Sequence, residues 1–188
     1  MNKWEDLFNE EEFCKDLSAL LSIPSVMDAD SSDINQPFGK EVQRALEFML
    51  RLGEMEGLST YQHNGYYGYM EFGPEDAEDY IAVLCHVDVV PASGEWTNAP
   101  FDPQIKDNRI YARGAIDDKG PTMACLVCFE NVENSWYLDE ASYSLDNWNK
   151  RRKRNELYED LCGKLTGGII WICTGCRISD NSRGKRSD

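Results

Sequence analysis

Two stretches in the first third of the chain repeat apolar side chains at helical spacing. In residues 3–22 apolar positions recur every three or four residues, and Pro24 ends the pattern. This spacing predicts an amphipathic helix whose apolar stripe faces a core. A second helix is predicted from about Lys40, and Gly53 and Gly57 are predicted to end it.

Shorter apolar runs bounded by turn residues predict strands. Asn64-Gly65 separates two aromatic-rich runs, which is typical of a tight hairpin. The run DYIAVLCHVDVVP is continuously apolar and ends in polar groups, so it predicts a buried parallel strand with chemistry at its carboxyl end. Residues 109–111 predict another short strand, and Pro121 is well placed to open a helix. Together these elements predict an α/β fold with a mainly parallel sheet flanked by helices.

Length and charge narrow the class of protein. A chain of 188 residues with 41% hydrophobic content is long enough for one domain with a substantial core. The formal net charge of -15 argues against nucleic acid or an anionic membrane surface as the main partner. The sequence shows neither a signal peptide nor an apolar run that could span a membrane, and its seven scattered cysteines do not form a secreted disulfide pattern. These features predict a cytoplasmic protein.

Candidate chemistry lies at the end of the predicted buried strand. His86 and Asp88 are two residues apart, so both side chains project to the same side, where imidazole can bind a metal and the carboxylate can orient it. About thirty residues later, Asp117 and Asp118 crowd two carboxylates into a glycine-bounded turn, which a divalent cation would neutralise. The other histidine, His63, lies beside the hairpin turn and is interpreted as an ordinary surface residue.

The two motifs and their flanks resemble a known family. HVDVVPASGEWTNAPFDPQI and RIYARGAIDDKGPTMA are similar to the bacterial dipeptidase branch, the PepV or Xaa-His dipeptidase type, of the di-zinc metallopeptidases. That family also includes ArgE, DapE, aminoacylase and carboxypeptidase G. The resemblance covers nearly all of residues 1–126, with LLSIPSV, PFGKEVQRALEFML and the hairpin in the expected order.

The resemblance implies roles for individual residues. His86 would ligate one metal, Asp117 would bridge two, and Asp88 would be the catalytic acid that steadies the imidazole. Asp118 and Lys119 would be supports, and the peptide bond between Asp117 and Asp118 would be cis. The implied cofactor is zinc, two ions in the intact family, with manganese or cobalt as alternatives. The implied reaction is hydrolysis of a dipeptide or short peptide by a metal-bridging hydroxide.

The second half of the implied site is missing from the sequence. The family needs an adjacent Glu-Glu pair, a later acidic ligand and a distal histidine, whereas no histidine follows His86. Residues 1–126 carry 9 basic and 24 acidic side chains, and residues 127–188 carry 10 of each. We therefore interpret residues 1–126 as the N-terminal part of a peptidase catalytic domain and residues 127–188 as a non-homologous tail.

A slip in the reading frame near Leu126 would explain why the charge balance changes and the family resemblance ends there. LDNWNKRR at residues 145–152 can be encoded so that reading one base later gives LIIGTNE, with a second glutamate completed from Lys153. The same shift permits PDAEFPII from residues 174–181 and FALKMLK from residues 127–133. These are pieces that the family would supply, in the correct order. The chain as written is therefore expected to be inactive and prone to aggregation.

A different class of function competes with the peptidase interpretation. Cys125-x-x-Cys128 and Cys173-x-x-Cys176 could form a small zinc site, and KRRKR at residues 150–154 could bind nucleic acid. The two cysteine pairs are further apart than in a usual zinc ribbon, and an adenine-rich region read out of frame also yields the basic run. Neither the oligomeric state nor the side-chain preference of a substrate is predicted.

Overall fold

The computed structural model describes residues 8–73, 81–139 and 168–173. The predictions for residues 3–7, 145–152, 150–154 and 174–181, and for Cys176, concern residues outside these ranges. The described chain forms three helices and six strands in a mixed α/β arrangement. In chain order these are α1 (Glu10–Leu21), α2 (Lys40–Met55), β1 (Ser59–His63), β2 (Tyr67–Phe72), β3 (Ile81–His86), β4 (Gln104–Lys106), β5 (Arg109–Tyr111), α3 (Lys119–Asp139) and β6 (Gly168–Cys173).

The first helix begins later than its apolar pattern predicted. Asn9 is the N-cap, and its side-chain oxygen accepts a hydrogen bond from the backbone N–H of Glu12 at 3.2 Å. Its amide group also donates to the Glu12 carboxylate at 3.1 Å, so the two residues satisfy each other at the helix start. Capping chemistry therefore sets the start of α1, and periodicity alone did not locate it.

The second helix starts at Lys40 as predicted but continues through Gly53. A Cβ on Gly53 would collide with the Met70 side chain of β2, so glycine is needed here for close packing between helix and strand. The helix ends at Met55, and Gly57 follows with a φ of +85°, a conformation that glycine adopts readily. The prediction that Gly57 terminates the helix is confirmed, and the same prediction for Gly53 is wrong.

Two hairpins order the short strands. Asn64 and Gly65 both have positive φ values, 44° and 73°, and connect β1 to antiparallel β2 as the sequence indicated. A second hairpin pairs β4 with β5 through Asp107 and Asn108, whose φ values of 53° and 56° favour a tight turn. This second pairing was not predicted, although the Asp-Asn pair is a turn signal.

The larger sheet has the strand order β1-β2-β6-β3. β6 is antiparallel to β2 and parallel to β3, with Cys173 in register with His86. In the described part of the sheet, β3 is therefore an edge strand. The predicted parallel pairing of this strand is confirmed, but the strand is buried on one face only, because Leu84 is 72% exposed while its neighbour Cys85 is buried.

A single core joins the helices to one face of this sheet. Side chains from all three helices pack with the inward-facing residues of β2, β3 and β6. The contributors from the sheet are Met70, Cys85 and Ile172, which are at most 5% exposed. Val87 and Ile23 extend this core to the point where β3 ends. The end of β3 is therefore held on a packed layer.

Candidate metal centre

The end of β3 and the turn before α3 bring His86 and Asp117 together. The His86 Nε2 atom lies 3.0 Å from the Asp117 Oδ1 atom, although 31 positions separate the residues in sequence. The histidine side chain is 31% exposed and the aspartate side chain 82%. Both side chains are therefore at least partly accessible from solvent. A ligand–metal distance of about 2.0–2.2 Å would let one zinc-like ion touch both of them.

Hydrogen bonding of the other ring nitrogen fixes the chemistry of this pair. His86 Nδ1 lies 3.1 Å from the backbone carbonyl oxygen of Asp88. A carbonyl can only accept, so Nδ1 carries the proton and Nε2 presents its lone pair in the neutral ring. That lone pair faces a carboxylate oxygen, so two acceptors confront each other. A cation between them, or a second proton on the ring, removes the repulsion.

Asp88 lies on the opposite side of the imidazole from Asp117. Its Oδ1 atom is 3.6 Å from His86 Nδ1, beyond normal hydrogen-bond range, while its backbone carbonyl is closer. Oδ1 is buried and has no hydrogen-bond partner among the described residues. Burial raises the pKa of the Asp88 carboxyl, and the charge of His86 opposes that shift. Asp88 thus meets the histidine principally through its main chain.

The turn that carries Asp117 is fastened to β3 by its next residues. The Asp118 carboxylate accepts a hydrogen bond from the backbone N–H of His86 at 3.2 Å. The Thr122 hydroxyl lies 2.7 Å from the Asp118 carbonyl and 3.3 Å from the His86 carbonyl. The backbone of His86 is therefore held on its N–H side by Asp118, just before α3, and on its C=O side by Thr122 in the first turn of α3. The Asp117–Asp118 peptide is cis, as the resemblance implies.

Lys119 connects the same turn to the end of α1. Its side chain is fully buried, and its Nζ atom donates to the carbonyl oxygens of Leu20 at 3.0 Å and Ile23 at 2.6 Å. Burial lowers the pKa of Lys119 to about 8, so the ammonium form still predominates at neutral pH. The sequence marked this lysine as a support, but its burial could not be inferred because lysine is rarely buried.

An open hollow lies beside Asp117. It has a volume of about 450 Å³ and lies between the loop at residues 96–99 and the segment at residues 110–117. The Arg113 guanidinium lies 4.9 Å from the centre of the Trp96 ring, a cation–π contact that forms one wall. Sequence reasoning did not single out either residue, since each is an isolated position whose contact is visible only in three dimensions.

The remaining predicted sites do not join this pair. Among the side chains that the structure describes, no three His, Cys, Asp or Glu residues form a group that could hold a metal ion. Cys125 packs against the core near Cys85, whereas Cys128 is exposed. His63 stacks on Tyr67 at the hairpin, with ring centres 5.1 Å apart. No helix in the described ranges is both long and apolar enough to cross a membrane.

Comparison with known proteins agrees with this geometry. Residues 82–143, which contain both halves of the pair, match the model of peptidase family M20/M25/M40. Over residues 82–143 the chain is therefore similar to this family. It is also 45% identical over 130 residues to YtjP of Bacillus subtilis (strain 168), which is named as a dipeptidase. That match covers 69% of this chain and 28% of YtjP.

Solved structures of the M20 type share the fold. An M20 family metallo-carboxypeptidase from Sulfolobus solfataricus superposes with a TM-score of 0.59 at 22% identity, covering 89% of this chain and 31% of that protein. Human carnosine dipeptidase 1 gives a TM-score of 0.58 at 19% identity, with 87% and 32% covered. The chain thus spans less than a third of the length of these proteins, and its fold corresponds to a part of theirs.

Proposed function

We propose that this chain supplies the first metal ligands of a dipeptidase active site. His86 and Asp117 are the ligands, and Asp88 is the catalytic acid that steadies the imidazole. The observation that carries the proposal is the 3.0 Å approach of His86 Nε2 to an Asp117 oxygen while Nδ1 is engaged elsewhere. Similarity to the family implies a divalent metal and a peptide substrate; we propose two zinc ions in the intact site, a dipeptide or short peptide as substrate, and a cytoplasmic location.

The chain's own residues prepare the site for hydrolysis in a defined way. The Asp88 carbonyl fixes the tautomer of His86, and Asp118 and Thr122 fix its backbone. A divalent ion, when bound, would polarise the scissile carbonyl and make water more acidic. Two protein ligands provide weaker binding than the three or four of a complete site. We therefore expect weak metal binding and no turnover by the chain as written.

A metal titration tests the ligand assignment. The chain has two histidines, so the ring signals of His86 and His63 can be followed separately by NMR. Mn²⁺ is a suitable probe because it prefers oxygen ligands such as the Asp117 carboxylate over the chain's thiols. We expect Mn²⁺ to broaden His86 at lower concentration than His63, and Asp117→Asn to remove this preference. Equal broadening of both rings in the unmodified chain would refute the ligand pair.

We also propose that residues 127–188 are an out-of-frame tail. Strand β6 pairs in parallel with β3 and ends level with His86. The residues that follow a strand in this position therefore lie close to His86 and Asp117. In the shifted frame, LIIGTNEE, read from residues 145–153, would supply the adjacent glutamates that the family needs. Removing one base near Leu126 in the gene should restore the shifted frame and yield dipeptide hydrolysis that the present chain lacks. Hydrolysis by the present chain, abolished by His86→Ala, would instead contradict the proposed inactivity.

A further inference from the structure

The position of Asp117 depends on its backbone, because its side chain is 82% exposed and its one described hydrogen-bond partner is His86. Packing around the carboxylate is too sparse to hold it in place. Whatever fixes the distance between Asp117 and His86 must therefore act on the turn at residues 114–119. Two sets of hydrogen bonds anchor that turn, one to the end of β3 and the other to the end of α1.

The first anchor connects the turn to β3 through Asp118 and Thr122, as described above. The second anchor is the buried ammonium of Lys119, which holds the carbonyls of Leu20 and Ile23. The last turn of α1 contains no basic residue of its own. A cation placed at a helix C-terminus interacts favourably with the helix dipole and its unpaired carbonyls. Lys119 supplies that cation from a position 96 residues away from Ile23.

The segment that Lys119 holds at the end of α1 is itself hydrogen-bonded to the end of β3. Two residues after Ile23, the Ser25 hydroxyl donates to the Val87 carbonyl at 2.6 Å, and the Val89 N–H donates to the Ser25 carbonyl at 2.9 Å. The stem of Lys119 also passes over Gly114, where a Cβ would lie only 3.2 Å from the lysine Cδ. The strand end, the turn and the end of α1 thus hold one another.

We propose that Lys119 is a positioning residue for the metal centre. By fastening the turn to α1, it keeps the Asp117 carboxylate within reach of the ion that His86 binds. The inference rests on the proposed metal ligands. In this proposal, a buried lysine that touches neither metal nor substrate controls the affinity for the metal. A purely structural lysine would affect unfolding of the whole domain without a specific effect on the metal pair.

A pair of variants in the full chain separates these roles. Lys119→Met keeps the apolar stem and removes the three donors, whereas Met49→Ala removes core volume from α2, where Met49 is fully buried. Both variants should lose stability to urea. We expect Lys119→Met to weaken Mn²⁺ binding at His86 about tenfold or more, in the range for supports that orient metal ligands. Met49→Ala should retain the affinity of the unmodified chain.

The outcomes distinguish this inference from the proposed function. If the unmodified chain does not bind Mn²⁺ at His86, the ligand assignment fails. If it binds and Lys119→Met binds equally well, only the role of Lys119 is refuted. Equal weakening in Lys119→Met and Met49→Ala also refutes it, because the effect then follows general stability.

A measurement on the unmodified chain covers the case in which Lys119→Met does not fold. Coupling between two sites is reciprocal, so an anchor that strengthens metal binding must itself be strengthened by the metal. We expect the ammonium protons of Lys119, labelled with ¹⁵N, to exchange more slowly with water when saturating Zn²⁺, which is diamagnetic, is bound at His86 than in the metal-free chain. An exchange rate that is the same with and without Zn²⁺ bound at His86 would overturn the proposal.

Discussion

The two faces of the larger sheet differ sharply in how they are covered. The inner face carries Met70 and Cys85, which are buried under the helices. On the outer face, Leu84 is 72% exposed and Tyr61 is 46% exposed, although both are large apolar side chains. Strand alternation places His86 on the same side as Leu84. The inner face is thus covered by the described helices, and His86, the proposed metal ligand, lies on the side that no described helix covers.

This contrast indicates which part of the catalytic domain is self-sufficient. Helices α1, α2 and α3 pack on the inner face of the sheet and bury it. This packing fixes the position of the end of β3. The chain covers less than a third of its relatives, so an apolar outer face is what a partial domain of this family would present. Half of a site can therefore be held in place by a core that is complete on one side only.

The largest expected difference between the faces is in their response to loss of a leucine. Leu46 of α2 is fully buried in the core, so Leu46→Ala should lower the free energy of unfolding by about 3 kcal/mol. Leu84→Ala on the outer face should change it by less than about 0.5 kcal/mol. Urea unfolding of both variants measures the difference.

Concentration provides the control for this first comparison. If the outer face were covered by self-association, Leu84→Ala would also destabilise the chain, and its unfolding midpoint would depend on protein concentration. Losses of similar size for the two leucines at low concentration would refute the distinction between a covered and an open face.

The next effect concerns the turn that carries Asp117. A Cβ on Gly120 would collide with the backbone carbonyl oxygen of Ala115, which cannot move without displacing the turn. We expect Gly120→Ala to lower the free energy of unfolding by about 1–3 kcal/mol and to weaken Mn²⁺ binding at His86. Urea unfolding and the NMR titration measure the two effects.

Gly94 offers a matched substitution away from this turn. A Cβ there meets no atom within 4 Å, and the strain of its φ of +84° should cost about 1 kcal/mol. Gly94→Ala should leave Mn²⁺ affinity unchanged. An equal loss of affinity in both glycine variants would show that the geometry of the turn is not decisive.

How far the sequence predicted this arrangement depends on whether the signal was local. The start of α2, the Asn64-Gly65 turn and the strand leading to His86 follow from periodicity and turn chemistry. The proximity of His86 and Asp117 came from a motif resemblance, since no spacing rule joins residues 31 positions apart. The pairing of β6 beside β3 could not be predicted, because its partners are far from it in sequence.

Burial of polar groups was the other property hidden from sequence reasoning. Lys119 and Ser25 are both fully buried, and both bond to backbone carbonyls in segments far from them in the chain. Lysine and serine are mostly exposed in proteins, so residue type alone predicts exposure at both positions, which is wrong here. The contacts that hold the metal pair in position are therefore the part of the site that required a structure.

A smaller effect is expected where the loop after α1 touches the end of β3. Ser25→Ala removes the hydroxyl that bonds the Val87 carbonyl at 2.6 Å, and should cost about 1 kcal/mol because that carbonyl is left buried. Ser22 makes a similar bond to the Ser18 carbonyl at 2.9 Å but is exposed. Ser22→Ala should change the free energy of unfolding by less than about 0.5 kcal/mol. Equal values in urea unfolding would contradict the importance of burial at this contact.

The smallest effect on stability, but a visible one on solubility, is expected from a charge on the outer face. Leu84→Lys should leave the free energy of unfolding within about 0.5 kcal/mol of the unmodified chain and should reduce aggregation, because β3 is an open edge in the described sheet. Light scattering during refolding measures this.

A lysine introduced in a loop away from the sheet separates the effect of charge on the β3 edge from the effect of added charge in general. Ile34 is 84% exposed in the loop between α1 and α2, so Ile34→Lys adds the same charge away from the sheet. A lysine brings the net charge of -15 closer to zero, which by itself favours association. Reduced scattering in Leu84→Lys alone would therefore locate the aggregation surface on β3. Equal improvement in both variants would place it elsewhere, and the open outer face would lose its significance for the behaviour of the chain.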